Sequence, residues 1–342
     1  MAYTTIKKPS DYFNTKLYTG NGTTQSITGV GFQPDWTWVK ERSSTSSHQI
    51  IDAVRGYNKR LFSNTNDAEA VDSSPYNDFK SIDSDGFTIG SGGGVNASGD
   101  TYASWNWLAN GTGSANTDGS ISSTVSANTT SGFSIVKYSG DGGSSSTVGH
   151  GLGAIPKMVI IKCRTSTPSW QVWGDGYTRL SLNNTDGDLG SNGMTRGAST
   201  VTLPSGINDW NGSGQDYIMY CWSEVQGYSK FGSYTGNGST DGTFVYTGFK
   251  PAWVMSKRTD SSGNSWRIFD TKRPGFNTSS MNFVHANLSN AENTGDVMDL
   301  NSNGFKIRTN STDQNTSGSI YIYMAFAEAP FVTSTGVPAT AR

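Results

Sequence analysis

The chain of 342 residues is short of several things. It has two cysteines, three histidines and five glutamates, and only 15% of its residues are charged, against about 25% in ordinary globular chains. Each shortage excludes a class. Two thiols are too few for a disulfide framework or a thiolate metal centre, and the strand positions of Cys163 and Cys221 predict reduced, packed side chains. A net charge of −2 gives no electrostatic footprint for nucleic acid or an anionic membrane. No run reaches 18 apolar residues, so no membrane-spanning helix is expected. The stretch Met1 to Pro9 has no apolar segment that could act as a signal peptide. Nor does any window carry a sustained i, i+3, i+4, i+7 stripe, so helices should be short or absent.

What the sequence has instead is repetition. Tyr18-Thr19-Gly20-Asn21-Gly22, Tyr138-Ser139-Gly140-Asp141-Gly142 and Tyr234-Thr235-Gly236-Asn237-Gly238 are one pentapeptide with small changes. Each is followed by a proline and a hydrophobic run that reaches a lysine six residues on: Pro34 to Lys40, Pro156 to Lys162, Pro251 to Lys257. The tyrosines are spaced by 120 and 96 residues, too far for a solenoid unit and right for a small domain. The chain reads as three tandem copies of one module.

Aromatic and β-branched residues with glycine and asparagine punctuation make that module a β unit. The predicted fold class is all-β: three tandem antiparallel β-sandwiches of jelly-roll or lectin-like form. Period-two alternation assigns Trp36 and Trp38, Met158 and Ile160, and Trp253 and Met255 to an inward row, with the lysine ending that row and its amine reaching water. The last strands place Ala103, Trp105 and Trp107, then Ile218, Tyr220 and Trp222, then Ile322, Met324 and Phe326 in the same row. The opposite row, including Tyr217, Met219, Tyr321 and Tyr323, is apolar enough to form an interface with another module or subunit. The expected boundaries are an N-terminal arm 1–15, modules at 16–110, 132–226 and 227–331, a Ser/Thr/Gly-rich connector and lead-in at 111–131 with room for one weak strand, and a C-terminal tail 332–342.

No catalytic constellation emerges. His48, His150 and His285 occupy different module positions, and His150 reads as turn packing. There is no Gly-x-Ser-x-Gly elbow. Glu224 and Glu328 occupy matched strand ends and read as sheet-rim residues, not as the carboxylate pair of a glycosidase. Asp83-Ser84-Asp85-Gly86 could chelate a hard cation, but the third copy has Asn301-Ser302-Asn303-Gly304, and an Asx turn explains both. No catalytic, metal or cofactor residue is therefore expected. Of the ten tryptophans, Trp170 and Trp266 share a position and read as structural. Trp210, in Asn208-Asp209-Trp210-Asn211-Gly212, is the candidate exposed platform for stacking a sugar, with Tyr57 and Tyr76 as further loop aromatics.

The passages Gly119 to Asn128, Gly132 to Val136 and Gly149 to Lys162 resemble a module found in virion and tail-fibre-like proteins of tailed bacteriophages, especially marine and cyanobacterial ones. Tyr18 to Gly22, Gly31 to Trp36, Val54 to Gly56, Ser81 to Phe87 and Gly248 to Trp253 extend the resemblance across residues 16–331. It implies a lectin-like sandwich in a virion and carries over no catalytic residue. The expected function is a tail fibre or appendage that contacts the host surface, assembled in the host cytoplasm as a homo-oligomer, with other virion proteins and a host-surface glycan as partners. A capsid decoration or head fibre protein is the near alternative, and a carbohydrate-binding array outside any virion is the more distant one.

Overall fold

In the computed structural model, which describes residues 4–72 and 78–330, one strand order occurs three times. In the first copy Phe13–Thr19, Thr101–Trp107, Trp36–Glu41 and Gln49–Asp52 form a large antiparallel sheet, and Gln25–Thr28, Gly86–Ile89 and Phe79–Asp83 form a small one. In the second, Phe133–Ser139, Asp216–Trp222, Met158–Cys163, Gln171–Gly174 and Tyr177–Ser181 lie opposite Thr147–Gly149, Thr200–Thr202 and Thr195–Arg196. In the third, Ser229–Thr235, Ile320–Pro330, Phe249–Arg258, Arg267–Asp270, Met281–His285 and Asn293–Gly295 lie opposite Phe244–Tyr246, Gly304–Ile307 and Met298–Asn301. Each first strand pairs with the last, and each second strand with the next to last. The protein is all-β, built from antiparallel sandwiches.

The repeated pentapeptide has a physical reason at each position. Its tyrosines stack on the opening tyrosines of the last strands: Tyr18 on Tyr102, Tyr138 on Tyr217 and Tyr234 on Tyr321, with centroids 5.0, 5.1 and 5.0 Å apart. Each hydroxyl donates to a carbonyl in the loop before that strand, at Val95, Trp210 or Gln314. A Cβ on the first glycine would lie 2.1 to 2.4 Å from the carbonyl oxygen of Ala97, Gly212 or Thr316. The second glycine has φ of +70°, +74° or +71°, which side chains with a Cβ rarely adopt. The intervening Asn or Asp caps the turn through its side-chain oxygen. Facing it in each copy is a buried asparagine that sequence patterning did not single out. Asn96, Asn211 and Asn315 accept from the backbone N–H of Asn21, Asp141 and Asn237, and donate back to loop carbonyls.

The two faces of the large sheets are used the other way round from the sequence reading. Tyr217 and Met219, and Tyr321 and Tyr323, lie inside their own sandwiches, against the small sheets. They are not an intermodule interface. The row read as each module's own core instead meets its counterparts in a single cluster drawn from all three copies. Alternation identifies two apolar rows but not which one the small sheet covers.

That central core is layered. Paired residues on neighbouring strands put Trp36 and Trp107, Met158 and Trp222, and Trp253 and Phe326 in one layer; Trp38 and Trp105, Ile160 and Tyr220, and Met255 and Met324 in the next. Lys40, Lys162 and Lys257 end the rows fully buried, so their amines do not reach water as expected. They donate to backbone carbonyls such as Glu41, Cys163 and Arg258, and burial lowers each to about 8.

Two boundaries also move. Ile6 and Phe13 enter the central core, and Phe13 stacks on Phe326 of the third module at 5.2 Å. Residues 13–15 thus belong to the first strand, not to an arm. The stretch 111–131 holds two strands, Ser114–Asn116 and Ser123–Asn128, which extend the second large sheet, with Ile121 and Val125 buried. Ladder hydrogen bonds at a sheet edge need few apolar side chains. The tail at 332–342 lies outside the described residues.

A core shared by three modules predicts one cooperative transition in calorimetry. Trp222→Ala should destabilise by about 3–5 kcal/mol and lower that single transition; a separate melting of the second module would refute the shared core.

Candidate binding surfaces and the seams between modules

The modules close into a ring through matched polar contacts. Just before the fourth strand of each large sheet stand His48, Trp170 and Trp266. Trp170 Nε1 donates to Phe62 O of the first module at 2.9 Å, and Trp266 Nε1 to Ser181 O of the second at 2.9 Å. His48 Nε2 donates to His285 O of the third at 2.9 Å, while its Nδ1 accepts from Trp38 Nε1 at 2.7 Å. A second ring is made by backbone: Glu69 N–H to Arg164 O, Asp188 N–H to Thr259 O, and Glu292 N–H to Arg42 O. The first module thus contacts the second, the second the third, and the third the first, in a head-to-tail arrangement that closes.

The seams differ where the buried residue opposite differs. Asp52 and Arg55 form a fully buried ion pair, and Asp52 also accepts from Tyr220 Oη of the second module at 2.7 Å. Asp270 and Arg273 repeat the pair, and Asp270 accepts from Trp105 Nε1 of the first module at 2.9 Å. The same register position in the second module is Gly174, and the residue matching Tyr220 and Trp105 in the third is Met324. A donor in the middle layer is thus met by a carboxylate; a thioether is not. Glu69, between Arg55 and Arg164, and Glu292, between Arg273 and Arg42, extend these pairs across the seams.

The titratable candidates are engaged in packing. His150 Nε2 bonds to Gly197 O and its Nδ1 accepts from Leu152 N–H, as a turn residue should. Cys163 and Cys221 are free, buried thiols. Glu224 and Glu328 pair with Lys230 and Lys250 at the sheet rim. Asp85 takes the amides of Gly29 and Gly31, and Asp83 the hydroxyls of Ser81 and Thr88, so the two carboxylates serve different partners. Among the described residues no group of three or more His, Cys, Asp or Glu is placed to hold a metal ion, and no helix is long and apolar enough to cross a membrane.

Of the proposed stacking aromatics, Trp210 is only 3% exposed. Its ring lies edge-on to Trp173 at 5.8 Å with the Arg179 guanidinium over it. It is loop packing, because the loop is drawn inward by Tyr138 and Asn211. Tyr57 is exposed at 42%; Tyr76 lies outside the described residues. Trp170 and Trp266 are buried as read. Polar grooves line the surface near module boundaries. One is bounded by Lys59, Lys137, Arg164 and Asp216, a second, of about 360 Å³, by Glu224, Gln226, Ser229, Lys230, Tyr246 and Thr247, and a third by Asp186, Asp188, Thr259 and Asp260.

A profile for a domain of unknown function, DUF7483, matches residues 8–330. The chain belongs to this family. The DUF7483 match spans all three modules and the docked segment around Phe13, and takes in all of the central core except Ile6. No curated protein and no solved structure matches the DUF7483 chain.

The seams carry a pH dependence. Burial lowers His48 to about 3 and His285 to about 4, below the ordinary histidine value. The unfolded chain therefore takes up these protons first on acidification. The histidines' contribution to stability is full above about pH 6.5 and falls toward pH 3–4, by about 1.4 kcal/mol per pH unit per histidine. Chemical denaturation at stepped pH should show this limb. The double variant W38M/H48W, which installs the third module's pair of Met255 and Trp266, should fold and lose His48's share of that limb while keeping the share of His285.

Proposed function

We propose that this protein is a structural component of a bacteriophage virion, placed on a tail fibre or related appendage that meets the host surface. The observation that carries the reading is the closed three-module body: sandwiches locked by a common core and two rings of hydrogen bonds, with histidines, thiols and the matched glutamates committed to packing or ion pairing. Such a body transmits load and displays loops. The resemblance of its repeated motifs to phage virion modules supplies the setting. Because the core closes within one chain, the reading does not require a homo-oligomer. A capsid decoration protein would use the same rigidity.

Peptide mass spectrometry and immunogold labelling of purified particles test the proposal. Labelling along the tail is expected, and labelling of the head would move the protein to the capsid. Absence from particles that contain the known coat proteins would end the virion reading.

A further inference from the structure

The three seams share a backbone plan, so charges found at one of them and not at the others mark something beyond folding. The seam between the first and second modules carries two such charges. Lys59 stands two residues before Leu61, which bridges to Ile50 in the first large sheet. The matched positions, two before Leu180 and Val284, hold Thr178 and Asn282. Lys137 precedes the pentapeptide tyrosine of the second module, where the other copies have Leu17 and Ser233. The fold thus forms with uncharged residues at both places. Arg164 stands beside the two lysines. Its counterpart at the seam of the third and first modules is Arg42, bound to Glu292, so the arginine belongs to the common plan and the lysines do not.

Lys59, Lys137 and Arg164 border one groove of about 470 Å³, a volume in the range of ligand sites. Both lysines are half-buried, and neither amine has an ion-pair or hydrogen-bond partner among the described residues. Arg164 is fixed by Glu69, which accepts from its Nε and Nη2 at 2.8 Å each and also from Arg55. Glu69 is thus already shared between two guanidinium groups. Asp216, the carboxylate that borders the groove, accepts from the Ser139 hydroxyl at 2.6 Å. Three cations therefore face one anion, in a chain whose overall charge is −2. More of the wall is Ser122 to Thr124, at the start of a strand that extends only the second large sheet. Thr124 lies directly across from Lys137, so its side chain shares the lysine's face.

We propose that this groove binds an acidic polysaccharide, with a uronate carboxylate or ester sulfate seated between the amines of Lys59 and Lys137. An amine drawn half out of water gains from an opposite charge, and the chain itself supplies none here. The hydroxyls of Ser122 and Thr124 suit those of a sugar ring, as donors and as acceptors. Nucleic acid fits less well, because the groove offers no platform for stacking bases: Tyr138, the aromatic residue that borders it, is buried. The inference rests on the attachment reading only for where such a polysaccharide is met, since the groove is local to one seam.

The test titrates the full chain by calorimetry with four probes: galacturonate oligosaccharides, sulfated galactan oligosaccharides, neutral maltooligosaccharides and duplex DNA. The variant K59T/K137S carries the residues of the next seam, Thr178 and Ser233. It should keep the thermal midpoint while weakening binding of the acidic sugar by about tenfold or more. A control, K7S/K272S, removes two exposed lysines away from the groove. Acidic-sugar binding that is lost in the first variant, kept in the control and weakened by added salt supports the site. Whether the uronate or the sulfated probe responds then identifies the anion. The site is overturned if neither acidic probe binds, if binding survives K59T/K137S, or if the control loses as much. Preferential binding of DNA through the same lysines overturns it in favour of a phosphodiester ligand. None of these outcomes bears on whether the protein is found in the particle, which labelling decides separately.

Discussion

The constraint on which the structure depends is that three large sheets bury their aromatic rows against one another. No sandwich in this chain can satisfy its large sheet alone: one face is covered by the small sheet, and the other is covered only by the neighbouring modules. Aromatic rings dominate the layer containing Trp36, Trp107, Phe133, Trp222, Trp253 and Phe326, and tilted or edge-on contacts join them across module boundaries. Such residues bury large areas with few rotatable bonds, which suits a rigid junction. Three modules with two buried faces each must assemble together or not at all.

Burying polar groups in those junctions is costly unless each is paired, and the copies show how the pairing was solved locally. Where the middle layer offers Tyr220 or Trp105, a buried Asp–Arg pair from the adjoining module receives the proton donor. Where the layer has Met324, the matching position is Gly174, and Tyr177 packs on the central core in that region. His48 stands where its sister modules use tryptophan, because Trp38 fills the space that Ile160 and Met255 leave free. The three seams are equivalent in backbone and different in side chain. Duplicated copies that must fit different neighbours diverge at these contacts while the pentapeptide turn remains fixed.

The candidate sites were less legible than the fold. Trp210 sits beside polar amides in sequence, which resembles a sugar platform, yet Asn211 next to it is the buried clamp that draws the loop inward. The asparagine clamps escape pattern reading because a single polar residue in a glycine-rich loop gives no periodic signal.

Local chemistry alone determined the threefold repeat, the β class, the Tyr-x-Gly-Asx-Gly turn and the packed state of Trp170, Trp266 and both cysteines. These follow from steric and hydrogen-bonding demands confined to a few consecutive residues. The tertiary structure decided which apolar row faces a neighbour, that Lys40, Lys162 and Lys257 end up dry, and that the residues around Ile6 and Ile121 join the fold. Each of these depends on what lies across a junction from residues distant in the chain, and a period-two pattern is identical whichever partner covers it.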